Sequence, residues 1–397
     1  MRGASALRPL RSLCLRLILS LAAVAALYLA VDRWTVQIWD SRESLIVEVL
    51  DLGPEAPAPS SMGEAFLMLQ RETRLRVLTG EDRGEELDIV TSRLEGSGVE
   101  PLPGRRYLLV TDVFEDGTVQ YSIADAYRVP SLIAFSAAVC LLLVSLTGWT
   151  GFKALLGLSV SVSVLVWGMI PLMARGWPPV SLALAAVLVI STVTVLCVAP
   201  CSRDRSAALL GSLGGVSCGF LLGALMVHLW QLTGLSGEGA ALLASTLPGI
   251  DMRGVLLASI LVGAIGAVLD VGVSVTAAMA ELADYDPDVS LRRLWLAGMN
   301  VGGEVLGSMI NTLILAYLGS SLPMAILISS AGVDILGILN DPYIGQELLQ
   351  SMAGTCGLLF TIPATAFFFV AQEAWGRRLA SGQGGNDETM PDGGETE

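Results

Sequence analysis

The sequence predicts a mostly α-helical, polytopic membrane protein with a small β-rich domain inserted after its first helix. The chain has 397 residues, of which 53% are hydrophobic, and its mean hydropathy of +0.67 is too high for an ordinary soluble domain. A helix needs roughly 20 apolar residues to cross a bilayer. Eight runs approach or exceed that length: Leu13–Val31, Ser131–Thr147, Phe152–Met173, Val180–Val198, Ala207–Leu232, Val255–Ala280, Gly302–Ser330 and Leu348–Ala371.

The first run follows a basic start that contains Arg2, Arg8, Arg11 and Arg16. This resembles a signal peptide, but no clean small-residue cleavage site follows, so we expect a retained anchor helix. The distribution of basic residues then orients the chain, because cytoplasmic loops are enriched in them. With eight spans and both termini in the cytoplasm, the short inner loops carry Lys153, Arg203, Arg205, Arg292 and Arg293, whereas the short outer loops carry Arg175 and Arg253.

These assignments divide the chain into four parts. We predict an anchor helix over residues 1–31, an extracytoplasmic domain over 32–128, a bundle of seven helices over 129–376 and a disordered acidic cytoplasmic tail over 377–397. The 32–128 segment carries 19 acidic and 10 basic residues. Its negative charge argues against nucleic acid as a partner. The predicted location is the cytoplasmic membrane.

The extracytoplasmic segment contains short runs with the alternating pattern of β-strands, separated by glycine-rich turns. The runs are Ser44–Leu50, Thr73–Leu78, Leu87–Val90, Arg106–Val113 and Val119–Ile123. Asp116 and Gly117 between the last two runs indicate a hairpin, and Pro54–Gly63 is typical of an extended spacer. We expect a small antiparallel barrel, OB-like or SH3-like. The segment has no histidine, cysteine or phosphate-binding loop, so we expect a binding or regulatory module rather than an enzyme.

Two of the apolar runs carry a polar stripe. Asp270 and Ser274 are one helical turn apart in the sixth run, on one face with Gly266 and Ala278. Glu304, Ser308 and Asn311 share a face of the seventh run, with Thr312 beside them. Ionisable groups in hydrocarbon cost at least ~2.5 kcal/mol, so they usually serve an ion or solute path. We expect Asp270 to face the helix bundle, within reach of the seventh run, because lipid is a costly environment for a carboxylate. If the two stripes face each other, their oxygens suit a hard cation or a proton relay. The alternative is that they hydrogen-bond helices together.

A different stripe in the fifth run predicts close helix packing. Gly211, Gly215, Gly219 and Gly223 recur every four residues, which leaves one helix face without side chains. The pattern does not say whether the partner helix belongs to this chain or to another. A homo-oligomer and a paired homologous membrane subunit therefore both remain open, besides the lipid bilayer itself.

Three segments resemble the signature regions of the YibE/F-like membrane proteins: Gly263–Ser274, with the sequence GAIGAVLDVGVS; Gly298–Gly302, with GMNVG; and Asn311–Pro323, with NTLILAYLGSSLP. Residues 347–363 are similar to the last span of that family. The resemblance extends over about residues 35–375. It implies a bacterial polytopic membrane protein with one extracytoplasmic domain, and it supplies no substrate.

Taken together, these features predict a secondary transporter or ion-coupled permease for a cation or small solute. No Walker A motif is present, so the energy would come from an ion gradient or a partner. The alternative is a non-transporting sensor or assembly platform that acts through its outer domain. We expect no enzyme and no cofactor, because no G-x-G-D motif of an intramembrane aspartyl protease occurs and Glu304, not a second aspartate, is the other carboxylate candidate beside Asp270. The sequence identifies no particular metal.

Overall fold

A computed structural model describes residues 22–36, 44–58, 68–80, 82–94, 100–113, 119–199, 202–236 and 238–384. The chain forms two compact units, Met1–Gly151 and Phe152–Glu397. Across the described residues the chain is mainly helical, with one antiparallel sheet near its N-terminus. This agrees with the predicted combination of a helical protein and a small β-rich region.

The first unit contains two helices and the sheet. Helix α1 occupies residues 22–36, and α2 occupies Val129–Thr147. Between them lie β1 (Ser44–Leu52), β2 (Ala56–Ala58), β3 (Met68–Val77), β4 (Glu86–Leu94), β5 (Arg106–Val113) and β6 (Val119–Ala126). Strand β1 pairs with β3 on one side and β5 on the other, while β4 and β6 extend the sheet from β3 and β5. The two outermost strands, β4 and β6, approach each other, so the sheet curls.

The alternation of side chains along the strands explains the core of the sheet. Its fully buried residues include Val47, Val49, Leu75, Val77 and Leu109. The residues between them point outward. Arg74 pairs with Asp88 at 2.9 Å and Arg76 with Glu86 at 3.0 Å, in each case directly across the β3–β4 ladder. One face is thus apolar and the other carries cross-strand ion pairs, as expected for a half-solvated antiparallel sheet.

The predicted spacer Pro54–Gly63 is partly wrong. Residues Ala56–Ala58 form β2, which pairs with the first residues of β3. Pro57 lacks an N–H group, but it is tolerated because a three-residue edge strand needs few ladder bonds. The rest of the spacer, from residue 59 onward, and the Asp116–Gly117 turn lie outside the described residues. Strands β5 and β6 on either side of that turn are antiparallel neighbours, as the hairpin signal predicts.

The second unit is helical. After α3 (Trp149–Ser163), a π-helical turn over Val164–Met169 leads into α4 (Ile170–Ala174). The remaining helices are α5 (Pro179–Val198), α6 (Ser202–Leu229), α7 (Glu238–Thr246), α8 (Met252–Tyr285), α9 (Leu291–Ser330), α10 (Ile335–Asn340) and α11 (Pro342–Gly384). The π turn precedes Pro171, which has no N–H to donate and would clash with a regular helical turn. The Ile170 N–H accordingly donates to the Leu165 carbonyl, five residues back.

Seven helices in the described part of the chain are long and apolar enough to cross a membrane. They correspond to the seven predicted spans after the anchor. The anchor itself, predicted over Leu13–Val31, lies largely outside the described residues, although residues 22–36 are helical. The tail prediction is corrected at its start, because α11 continues to Gly384 and the first residues assigned to a disordered tail are helical. Residues 385–397 lie outside the described part.

The glycine stripe of α6 packs against α11. A Cβ atom added to Gly215 would lie 2.6 Å from the Gly357 carbonyl oxygen, and one added to Gly219 would lie 2.7 Å from the Ala353 carbonyl oxygen. Gly211 faces Thr365 in the same way, and Gly223 lies against Ala353 and an isoleucine of α8. The stripe thus lets two backbones approach within one chain. The partner helix that the sequence left open is α11.

Helix α8 is the most buried helix of this unit, and α9 is among the least. Over half of the most apolar window of α8 is buried, against only 6% of that of α9. Helix α8 contacts α5, α6, α9 and α11. Helix α9 packs along α11 through Gly298, which also meets Met279 of α8, and through Gly302, which meets Ile362. The rest of the surface of α9 is therefore open over a length that crosses a bilayer.

Candidate functional site: the outward polar faces of α8 and α9

The polar stripe of α8 lies on the outward face of that helix. Asp270 and Ser274 are exposed, as is Gly266, whereas Leu269 and Val271 on either side of Asp270 are buried. The helix is thus apolar toward the bundle and polar toward its surroundings. We expected Asp270 to face the bundle, within reach of the seventh span. The i, i+4 pattern identified the shared face correctly, but it did not reveal that the other helices cover the opposite side of α8.

The polar stripe of α9 also points away from the bundle. Glu304, Ser308, Asn311 and Thr312 are all exposed. Gly302, which packs on α11, lies about half a helical turn away from Asn311 around the axis. Asn300, one turn before Glu304, extends the same exposed face.

The two stripes lie at similar depth. Met279 of α8 meets Gly298 of α9, and Gly263 of α8 meets the hydroxyl group of Tyr317, so the two helices run antiparallel. Interpolation between these contacts places Asp270 at about the level of Ser308. Asn311 is within one turn of that level. The register therefore brings the predicted polar residues to a common depth, although it does not enclose them in one pocket.

Hydrogen bonding separates the six predicted site residues into two groups. Ser308 donates to the Val305 carbonyl at 2.9 Å, and Thr312 donates to the Ser308 carbonyl at 3.0 Å. Both hydroxyls are therefore satisfied within α9. Among the described residues, Asp270, Ser274, Glu304 and Asn311 have no hydrogen bond or ion pair to another side chain or to the backbone. No cluster of three or more His, Cys, Asp or Glu residues suited to a metal ion occurs in the described part of the chain.

A family profile for YibE/F-like proteins matches residues 135–372, which is more than half of the chain. The chain belongs to the YibE/F-like family. In this YibE/F-like protein, the matched region starts within α2 and includes both polar stripes, whereas the sheet lies outside it. No curated protein and no solved structure shows significant similarity to the chain.

Tyr317 of this YibE/F-like protein adjoins the α8 stripe, and neither it nor Glu347, which acts on it, was predicted as a site residue. Tyr317 places its hydroxyl against Gly263, two helical turns from Asp270 on the same face of α8. Glu347 lies close enough to Tyr317 to act on it electrostatically. Glu347 lies inside α11, one residue before the predicted span Leu348–Ala371. The sequence signal that could have identified Tyr317 was a tyrosine within an otherwise apolar run.

A cavity of about 300 Å³ lies farther along α9. It is lined by Ser236, Ser320, Pro323, Met324, Leu327 and Tyr343. Pro323 lies inside α9, and its missing N–H leaves a backbone carbonyl of the preceding turn without its helical donor. Polar groups thus occur at several levels of α9, from Glu304 near its first third to Ser320 beside this cavity.

Proposed function

We propose that this YibE/F-like protein is a secondary transporter or ion-coupled permease whose ion or solute path follows the polar faces of α8 and α9. One observation carries the proposal: Asp270, Glu304 and Asn311 lie in helices of membrane-spanning length, and none of the three has a hydrogen bond or ion pair to another residue that the structure describes. A carboxylate in hydrocarbon costs at least ~2.5 kcal/mol. An intramolecular hydrogen bond between helices does not repay that cost here, so a function is the better explanation.

The chemistry of the stripe limits the cargo. Carboxylate, carboxamide and hydroxyl oxygens bind hard cations, and carboxylates also accept and release protons. In the proposed mechanism, Asp270 binds the cation or proton, and the hydroxyl oxygen of Ser274 replaces part of its hydration shell. Glu304 and Asn311 supply further oxygens along the same path on α9. Release follows when the site opens to the other side. The driving force is an ion gradient, because the sequence contains no nucleotide-binding loop.

The proposal also fixes the placement of the chain. The seven candidate spans and the anchor lie in a bacterial inner membrane, with both termini in the cytoplasm and the sheet outside. The pairing order β4–β3–β1–β5–β6, with β4 approaching β6, supports an OB-like barrel. This domain would bind or filter the cargo before it reaches the membrane.

A second candidate function is a non-transporting sensor or assembly platform. A cavity of about 310 Å³ on the sheet favours it, since Asp51, Glu72, Arg74 and Asp88 are among its lining residues. That arrangement of charges suits a small polar ligand. The two candidates differ in the role of Asp270, because a platform needs no ionisable group in the membrane.

Reconstitution into proteoliposomes tests the proposal. Flux of Na⁺, K⁺, Mg²⁺ and protons is measured in each direction across an imposed ion gradient, first for the unmodified protein. We expect Asp270→Asn to abolish the flux, since the amide keeps the size of the side chain but cannot bind a proton or balance a cation. Asp288→Asn in the exposed α8–α9 connection is the matched control. Equal flux in both variants would favour the platform.

A further inference from the structure

The outward face of α9 carries a seven-residue pattern. Asn300, Glu304, Gly307 and Asn311 are spaced by four, three and four residues, and all four are exposed. Ile314 and Leu318 continue the same spacing. Alternating steps of three and four residues form the seam along which two parallel helices pack in a left-handed coiled coil. This seam lies on the side of α9 opposite to Gly302, which packs on α11.

The glycines of α9 divide between the two sides. The space beside Gly298 is occupied by Met279, and the space beside Gly302 is occupied by Ile362, both of the same chain. Gly303 and Gly307 have open space instead: a Cβ atom added to either one meets no described atom within 4 Å. One pair of glycines is therefore used inside the chain, and the other pair leaves the outer face of α9 accessible to another backbone.

We infer that a second copy of this chain covers this face, so that two α9 helices pack side by side along the seam Asn300–Leu318 and together complete the ion path. The inference rests on the part of the proposed function that places α9 in the bilayer, and it does not depend on transport. A two-fold axis along the membrane normal makes the two helices parallel, so each residue of the seam meets its own counterpart at the same depth.

The residues on the seam fit their own counterparts. Asn311 has both a donor and an acceptor, so two facing carboxamides satisfy each other, and one asparagine on such a seam fixes its register. Gly307 opposite Gly307 allows close approach. Two Glu304 carboxylates that face each other in hydrocarbon repel unless a proton or a cation lies between them. The pair thus forms a cation or proton site that neither copy has alone.

Other occupants explain the pattern less well. Lipid would leave Glu304 and Asn311 without polar partners. An unrelated helix would need its own polar groups at matching depth, whereas a second copy supplies them by symmetry. The same face could be covered by a homologous subunit, and the experiment below separates that outcome by counting copies of this chain.

Cysteine cross-linking in native membranes tests the interface. The six cysteines of the chain are first replaced by alanine or serine. We expect Gly307→Cys and Asn311→Cys to give a covalent dimer rapidly with a short bifunctional thiol reagent. Leu221→Cys on α6 is the control, because that position is 67% exposed but lies on a different helix. Cross-linking of Gly307→Cys no faster than that of Leu221→Cys would overturn the inference.

Single-molecule photobleaching of the labelled protein in liposomes gives the independent count. The unmodified protein should bleach in two steps, and Gly307→Leu should lower the dimer association constant about tenfold or more, a change of ~1.4 kcal/mol. Gly319→Leu is the matched control, since Gly319 also has open space but lies off the seam. Both substitutions face away from the bundle, so the fold should survive. One-step bleaching of the unmodified protein would refute the dimer while leaving an Asp270-dependent flux intact.

Discussion

Individual polar residues in the helical unit differ in how their hydrogen bonds are satisfied. Thr276 is buried and donates to the Gly272 carbonyl at 3.0 Å, and Ser191 is buried and donates to the Val187 carbonyl at 2.7 Å. Asp270 is exposed and has no such bond among the described residues. The buried hydroxyls are therefore compatible with packing alone. Packing alone does not explain the Asp270 carboxylate, and the functional proposal therefore rests on this residue.

This difference predicts a separation between stability and activity at adjacent positions. Asp270→Ala should change the free energy of unfolding by no more than about 0.5 kcal/mol, because it removes no hydrogen bond or ion pair to any described residue. Leu269→Ala should destabilise by about 2–5 kcal/mol, since Leu269 is only 3% exposed and its truncation leaves a cavity. Thermal unfolding of both variants in the same detergent measures this. A large loss of stability in Asp270→Ala would mean that the carboxylate holds the bundle together.

At the scale of secondary structure elements, the same sequence pattern has two outcomes. The stripe Gly211–Gly223 and the pair Gly303 and Gly307 both repeat glycine every four residues. Helix α11 packs against the α6 stripe, whereas no described atom packs against Gly303 and Gly307. Periodicity alone identified both faces, but it could not tell which one the chain itself would cover, because that depends on how five helices pack. The strands were easier to predict, since alternation and turn residues are local signals.

The filled stripe gives a stability prediction. Gly219→Leu should lower the melting temperature in detergent, because its Cβ atom alone would lie 2.7 Å from the Ala353 carbonyl oxygen. Overpacking of this kind typically costs about 1–3 kcal/mol. Gly376→Leu on α11 is the control, since Gly376 has open space, and its melting temperature should hardly change. If the two variants melt alike, the α6–α11 contact contributes little to stability.

At the scale of the whole molecule, the proposed placement of the chain in the membrane gives a labelling prediction. The seven apolar helices fit a multi-pass membrane protein, and the basic residues of the short loops predict the proposed orientation. In intact cells with a cysteine-free background, a membrane-impermeant thiol reagent should label Glu85→Cys, in the exposed turn between β3 and β4. It should label Asp288→Cys, between α8 and α9, only after the inner membrane is permeabilised. Labelling of Asp288→Cys in intact cells would invert the proposed orientation.

Much of the fold could be predicted at this scale, and much less of the site. The seven spans followed from the length of the apolar runs, because hydrocarbon thickness sets that length. The polar residues of the site were found for the same reason, as exceptions within those runs. The surroundings of these residues could not be predicted, because residues that line an enclosed pocket and residues on an outward face have the same i, i+4 spacing. Tyr317 and Glu347 were missed because only the packing of α9 and α11 brings them to the stripe.

The central claim is that Asp270 binds the transported cation or proton, and flux through proteoliposomes tests it most directly. The screen of Na⁺, K⁺, Mg²⁺ and protons is repeated for the unmodified protein, Asp270→Asn and the control Asp288→Asn, at equal protein density. We predict that Asp288→Asn retains the flux of the unmodified protein and that Asp270→Asn reduces it to the level of empty vesicles. Undiminished flux in Asp270→Asn, or no flux of any tested ion through the unmodified protein, would contradict this account.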